Sequence, residues 1–279
     1  MIKIAVCGYS SSVGRYFMKK YEKEFEFVRL GRRADADVVT DLGQRTMSGK
    51  TDLLYGCQTL INLATQTREG NLDEVEDMFS VNVMGTVFLA EIVRKYHIGQ
   101  FLHMSSISAT YDKDDRYYGF YAISKKSADE MLELYCKRNN IHLCILRPTA
   151  LFGDDSFSKH QVLLYHLIQC VKNHKPIQIY GKTDARRNFI HISTLADVMK
   201  GVLTKQIEGV YNVVNQKNDS LTDMIAALNL FYHGDSTVEF LPDKPDVDEC
   251  VFHDDGQIYR RLGLDVPNGF QKELEKTMH

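Results

Sequence analysis

Along the first half of the chain, short runs of consecutive apolar residues alternate with stretches in which apolar positions recur every three or four residues. The short runs lack polar alternation, which is the pattern of strands covered on both faces. They predict strands at residues 2–7, 25–30, 59–63, 100–104 and 141–146. Arg147-Pro148 closes the last of these, because proline lacks an N–H donor and restricts the residue before it. The periodic stretches predict helices at residues 13–21, 74–96 and 121–139, with Val81, Met84, Phe88 and Ile92 as the apolar stripe of the second. Such alternation builds βαβ units and a parallel sheet. Beyond about residue 150 the strands shorten, to residues 177–180, 210–214 and 238–240, between helices at 161–173, 194–204, 221–232 and 257–262. A Pro- and Asp-rich loop occupies residues 242–249. The prediction is an α/β fold: a doubly wound parallel sheet over residues 1–150, and a smaller, partly interleaved C-terminal lobe over residues 151–279. A segment of the lobe, about residues 186–204, is expected to return to the first domain.

Composition narrows the function classes. Of 279 residues 44% are apolar and 25% charged, ordinary for a soluble globular chain, and the formal net charge of −3 gives no basic field for nucleic acid or an anionic membrane. No apolar run approaches the roughly 20 residues that span a bilayer. The N-terminal apolar stretch runs straight into a glycine turn, so it reads as a strand and not as a signal peptide. The six cysteines form no CxxC pair and no metal-ligand spacing. Together these features predict a cytoplasmic, reducing setting without disulfides, structural zinc or another metal.

Candidate chemistry begins at Cys7-Gly8-Tyr9-Ser10-Ser11-Ser12-Val13-Gly14, between the first strand and the first helix. A dinucleotide needs small residues there, so that the backbone can turn, approach the pyrophosphate and present a helix N-terminus. Gly8 suits the turn, Gly14 suits close helix–sheet packing, and Ser10, Ser11 and Ser12 offer hydroxyl donors. The second strand ends in Gly31-Arg32-Arg33, where an NAD-type site carries an acidic residue. Guanidinium groups pair with a 2′-phosphate, which favours NADP(H), with NAD(H) as the alternative.

From here the motifs resemble the extended short-chain dehydrogenases/reductases, the group of nucleotide-sugar epimerases, dehydratases and ketoreductases, over nearly the whole chain; the resemblance implies a Rossmann-type, NAD(P)-binding sheet domain over residues 1–150 and a substrate-binding lobe over residues 151–279. The family's first loop reads TGxxGxxG; Cys7 stands for its Thr and Ser11 for its middle Gly. Asp41-Leu42 matches the pair the family places on the adenine. Asn62-Leu63-Ala64, followed by Thr65, matches a strand end beside the cofactor. Asn82-Val83-Met84-Gly85-Thr86 matches the NVxGT helix, whose Asn supports the site from inside. Ser105-Ser106, Tyr121-Ala122-Ile123-Ser124-Lys125 and Arg147-Pro148 follow in family order, and the resemblance implies cofactor contacts at Asn82, Arg147 and Pro148 as well. Arg187-Asn188-Phe189-Ile190-His191-Ile192 resembles R-D-F-I-H-V, whose Arg contacts a nucleotide-sugar diphosphate. YxxxK alone proves little, since Tyr16…Lys20 fits it too. Only Tyr121…Lys125 falls one strand-loop-helix step after the serine pair.

Hydride transfer at a sugar carbon needs a proton moved at its oxygen, and a free tyrosine pKa of about 10 is too high for a base at neutral pH. Lys125, at i+4, shares a helix face with Tyr121 and favours its phenolate. The resemblance implies Tyr121 as acid/base, Lys125 as tuner and ribose holder, and Ser106 as the group that positions the substrate oxygen. Counting back from Tyr111 lands on Ile107, so the loop is one residue longer than the family's and Ser108 is the alternative serine. Ile107-Ser108 stand where 4,6-dehydratases carry Asp-Glu, which disfavours dehydration. Ala150 stands where relatives place a substrate-binding Asn. The reading is reduction of a 4-keto nucleotide sugar by NADPH, with NAD-dependent epimerisation as the alternative. Two rivals are a reductase of non-nucleotide carbonyls, which would not need Arg187, and a non-catalytic NAD(P)-binding sensor, which would have lost Tyr121 or Lys125. A homodimer is the assembly the resemblance suggests.

Overall fold

The computed structural model describes residues 1–278. The chain divides into two compact units, Met1–Pro148 with Met199–Asn212, and Thr149–Val198 with the residues from Val213 on. The boundary at Val198 falls inside helix α6 (Ile192–Lys205). Of the segment 186–204 expected to return to the first unit, residues 186–198 therefore stay in the second, and strand β12 (Gly209–Val213) largely joins the first.

In the first unit β1 (Ile2–Cys7), β2 (Phe25–Gly31), β3 (Val38–Asp41), β4 (Thr46–Gly49), β5 (Thr59–Asn62), β6 (Gln100–Met104) and β7 (His142–Pro148) join β12 in one sheet, ordered β12-β7-β6-β5-β1-β2-β3-β4. Every pairing from β7 through to β3 is parallel, and β4 returns antiparallel along β3. β5 and β6 are buried at every position, which is why they read as unbroken runs. β3 and β4 went unpredicted: they form an edge pair, half polar and largely exposed in β4, with little apolar signal. The order reverses between β1 and β5, so the loops leaving their carboxyl ends diverge and open a crevice.

The helix expected over residues 74–96 is α2 (Leu72–Phe79), a π-helical turn (Ser80–Met84) and α3 (Gly85–Lys95) in one run. In the π turn the Gly85 N–H reaches back to the Ser80 carbonyl, which inserts one residue and rotates the buried stripe. The inward face is Met78, Asn82, Val83, Thr86, Leu89, Ala90 and Val93; of the expected stripe only Ile92 is fully buried, and Met84 is 44% exposed. Helix α4 (Phe120–Asn139) ends at Asn140, whose left-handed conformation lets its N–H cap the Cys136 carbonyl. Its buried stripe runs Ala122, Lys125, Ala128, Asp129, Leu132 and Cys136. Two charged residues in a stripe that packing alone would make apolar mark this helix as chemical.

The second unit contains α5 (Val162–Lys172), α7 (Leu221–Tyr232), α8 (Gln257–Leu262) and α9 (Phe270–Glu275) with three strand pairs. β8 (Ala150–Phe152) runs parallel to β11 (Phe189–His191), and β9 (Ile177–Tyr180) parallel to β14 (Val238–Leu241). β10 (Arg186–Arg187) lies antiparallel to β13 (Asp219–Ser220). Phe152, Leu164, Leu167, Phe189, Leu228 and Phe270 are in its core. The unpredicted α9 is fastened by buried Glu273, whose carboxylate accepts the His191 N–H at 2.7 Å and the Thr194 hydroxyl at 2.6 Å.

Candidate active site

The crevice between β1 and β5 is a cavity of about 470 Å³, and Gly8, Ser10, Ser11, Arg32, Arg33, Asp41, Leu42, Leu63, Ala64 and Thr65 line it. Gly8 has φ +80°, and a Cβ there would lie 2.6 Å from the Ala64 nitrogen; a Cβ on Gly14 would lie 2.7 Å from the Gly8 carbonyl oxygen. Both obstacles are backbone, so neither position admits a side chain. Ser12, Val13 and Gly14 form the first turn of α1 (Ser12–Lys20). Ser11, standing for the family's middle glycine, folds its hydroxyl back as the N-cap of this helix and accepts the Gly14 N–H at 3.1 Å. A turn closed to side chains, leading into a helix start, is the cradle a dinucleotide pyrophosphate needs, so these residues fit the cofactor. Gly8→Ala is expected to lower stability by roughly 3 kcal/mol, through positive φ together with a backbone clash. Thermal denaturation checks this, and an unchanged melting temperature would mean that the loop can relax.

The acidic residues that follow β2 are engaged elsewhere. Tyr9 donates its hydroxyl to Asp35 at 2.6 Å, and Arg29 forks onto Asp37 at 3.0 and 3.1 Å. Arg32 and Arg33 are exposed.

At the carboxyl ends of β5 and β6 a second cluster forms. The Tyr121 phenol lies within hydrogen-bonding reach of the Ser106 and Thr65 hydroxyls, which favour its ionised form, while burial acts more strongly and pushes its pKa above the ordinary tyrosine value. The Lys125 ammonium is 5.9 Å from the Tyr121 ring centroid and donates to the Met104 carbonyl at 3.0 Å. Burial pulls Lys125 down to about 8, against the opposing charge of Asp129. Ser106 also donates to Ser108 Oγ at 3.2 Å, so of the two candidate serines Ser108 stands behind Ser106.

Three expected cofactor contacts have other attachments. Asn82, in the π turn and 1% exposed, does not line the crevice. Its Oδ1 accepts from the Gln66 N–H at 2.8 Å and the Thr65 hydroxyl at 3.3 Å, and its Nδ2 donates to the Gln66 carbonyl at 2.8 Å and Ser124 Oγ at 3.1 Å. It therefore ties the loop after β5 to α4 at Ser124, the residue before Lys125. Arg147 turns its Nε onto Asp129 at 2.8 Å, and Pro148 is buried as the last residue of β7. Arg187 is half-buried in the second unit, on β10 opposite Asp219.

Sequence reasoning overlooked His103 and Asp129 and read Asn62 only as part of a strand-end motif; all three are buried behind the cluster. The signal that could have exposed Asp129 is a second charge one turn beyond Lys125 on the same helical stripe.

The sequence model of the NAD dependent epimerase/dehydratase family matches residues 4–214. A putative UDP-glucose 4-epimerase of Methanocaldococcus jannaschii is 25% identical over 213 residues, 70% of this chain and 65% of that protein, so the match spans less than two thirds of that relative. A dTDP-glucose 4,6-dehydratase of Streptomyces niveus is 22% identical over 278 residues, 92% of this chain and 76% of that protein. Among solved structures, UDP-glucuronic acid 4-epimerase from Bacillus cereus in complex with NAD superposes with a TM-score of 0.76 at 20% identity, covering 98% of this chain and 96% of the other, which shows the common fold. With its opening loop, Asn82 helix and Tyr121…Lys125 pair all inside the matched residues, the chain belongs to the NAD dependent epimerase/dehydratase family.

Proposed function

We propose that the protein interconverts alcohol and ketone at a ring carbon of a nucleoside diphosphate sugar, running as a 4-epimerase. The observation that carries this reading is the Tyr121 phenol gathered with the Ser106 and Thr65 hydroxyls and the Lys125 ammonium beside the crevice. Family membership and the 4-epimerases among its relatives support it. A bound nicotinamide dinucleotide supplies hydride acceptance and return. The turn at Gly8 and the start of α1 hold its pyrophosphate. Tyr121 takes the proton from the sugar hydroxyl as the ketone forms and gives it back afterwards. Ser106 and Thr65 steady the phenolate, and Lys125 supplies the positive charge that favours it. Arg187 is the proposed partner of the sugar's diphosphate. Ile107 and Ser108 follow Ser106 where 4,6-dehydratases carry an Asp-Glu pair, which speaks against water elimination. A cytoplasmic setting and a homodimer belong to the same proposal.

A second reading is favoured by Arg32 and Arg33, exposed at the crevice where NAD-type sites carry an acid. They suit a 2′-phosphate, and with it NADPH-driven reduction of a 4-keto sugar. Incubation with UDP-glucose, UDP-N-acetylglucosamine or UDP-glucuronic acid and a trace of NAD is expected to give the 4-epimer by NMR, with no net cofactor consumed. NADPH consumed in step with a 4-keto nucleotide sugar, without epimer, would establish the second reading. Turnover of neither substrate type would remove nucleotide sugars from the proposal. Under the second reading, Arg32→Ala with Arg33→Ala weakens NADP(H) about tenfold or more and leaves NAD(H) within about twofold, since charge-assisted hydrogen bonds contribute about 1.5–3 kcal/mol. Equal loss of both cofactors, by fluorescence titration, would deny the arginines that role.

A further inference from the structure

We infer that Asp129 is a positioning residue that keeps Lys125 an ammonium, acting from a buried position where it also meets His103 and Arg147. The inference deepens the proposed reaction and rests on Lys125 working in its charged form. Asp129 is fully buried and lies one helical turn beyond Lys125 on the same stripe of α4. Its Oδ2 accepts the Ser105 hydroxyl at 2.9 Å and Arg147 Nε at 2.8 Å. Its Oδ1 has no hydrogen-bond partner and faces His103 Nε2 at 3.8 Å. A carboxylate needed only to clamp Arg147 would place both oxygens on the guanidinium fork; here one oxygen is left facing the histidine.

The charge on His103 follows from its neighbours. The Thr86 hydroxyl donates to the Asn82 carbonyl at 2.7 Å, so from Asn62 it can only accept. That fixes the Asn62 amide: Nδ2 donates to Thr86 Oγ1 at 3.1 Å and to His103 Nδ1 at 3.2 Å, while Oδ1 accepts the Ala64 N–H at 3.1 Å. His103 Nδ1 is then an acceptor, and Nε2 carries the ring's single proton, directed at Asp129. Burial, with the nearby Lys125 charge, keeps this imidazole neutral by lowering its pKa well below the ordinary value. The titratable groups facing Lys125 are therefore Tyr121, the neutral His103 and Asp129, with Arg147 on the far side of the Asp129 carboxylate. Without Asp129, Lys125 would be a buried ammonium with no anion beside it, and it is able to lose its proton.

The test reads Lys125 directly. In protein labelled with 13C-lysine, the Lys125 Cε resonance, assigned by its loss in Lys125→Arg, is expected to titrate near 8 in the parent and at least about one pH unit lower in Asp129→Asn. The alkaline limb of kcat should shift by the same amount, sugar KM should stay within about twofold, and Asp129→Glu should restore the parent profile. If Asp129→Asn fails to fold, Asp129→Leu combined with Arg147→Leu removes the carboxylate and its guanidinium partner together, and the Lys125 midpoint is expected to fall by the same amount. An unmoved Lys125 midpoint in either folded variant overturns the inference. Because the NMR midpoint does not depend on which sugar turns over, such a failure is distinct from failure of the proposed reaction.

Discussion

Tyr121→Phe is expected to lower kcat roughly a thousandfold while leaving dinucleotide affinity within about twofold. The change removes one hydroxyl and keeps the ring, so the packing at the head of α4 survives. The two groups that lose a neighbour each retain another: Ser106 bonds Ser108 Oγ at 3.2 Å, and the Thr65 hydroxyl bonds Asn82 Oδ1 at 3.3 Å. No buried polar group is orphaned, and the melting temperature should move by no more than about a degree or two. The loss belongs in kcat, because the phenol moves a proton only as the transition state forms and contributes little to holding the ground state. Steady-state kinetics on the epimerisable sugar, with cofactor binding measured in parallel, checks both halves. An unchanged kcat would remove the phenol from the chemistry, and a matching fall in cofactor affinity would make it a binding residue.

Much of this site could be read from the sequence because its parts sit next to strands that are themselves easy to read. β5 and β6 are buried along their whole length, so their ends were visible as the ends of apolar runs, and Leu63, Ala64, Thr65 and Ser106 follow those ends. Gly8 and Gly14 were legible as glycines, and the backbone contacts a Cβ would meet explain why nothing else fits. Tyr121…Lys125 was separable from the chance match Tyr16…Lys20 by its place after a strand and a serine pair. What stayed hidden depends on contacts that cross the sheet or on local helix geometry. The π turn shifts the inward face of α3 by one residue, and no hydrophobic count announces that shift. Ser11 could be seen to replace a glycine, but not that its hydroxyl would fold back to cap α1. His103 and Asp129, from β6 and α4, read as isolated polar residues, and Asn62 of β5 as one member of a strand-end motif, until the fold brings the three together. Thr65 was legible as a cofactor contact, whereas its second role beside the phenol appears only once the loop after β5 is pinned by Asn82.

Lys125→Met should stabilise the folded protein at pH 7 by about 1–3 kcal/mol while abolishing most turnover, a trade between fold and function at one buried position. Burial depresses the Lys125 pKa from 10.5 to about 8, a displacement worth about 3 kcal/mol. The bond from Nζ to the Met104 carbonyl at 3.0 Å offsets part of that cost, and Met loses it. Because the folded-state value lies below the unfolded one, the unfolded chain binds more protons between those two pH values, and parent stability rises with pH across that window. The advantage of Met is therefore complete below about pH 8 and fades as pH approaches 10.5. Removing the ammonium does not strand Asp129, which keeps Arg147 Nε at 2.8 Å and the Ser105 hydroxyl at 2.9 Å, so no unpaired buried charge cancels the gain. Urea unfolding of both proteins at pH 7 and at pH 10 reads the difference: a large gap at the lower pH should shrink at the higher. A Met variant less stable than the parent at pH 7 would mean that the charge contributes more to the fold than its desolvation costs, and Lys125 would then be a structural residue before a chemical one.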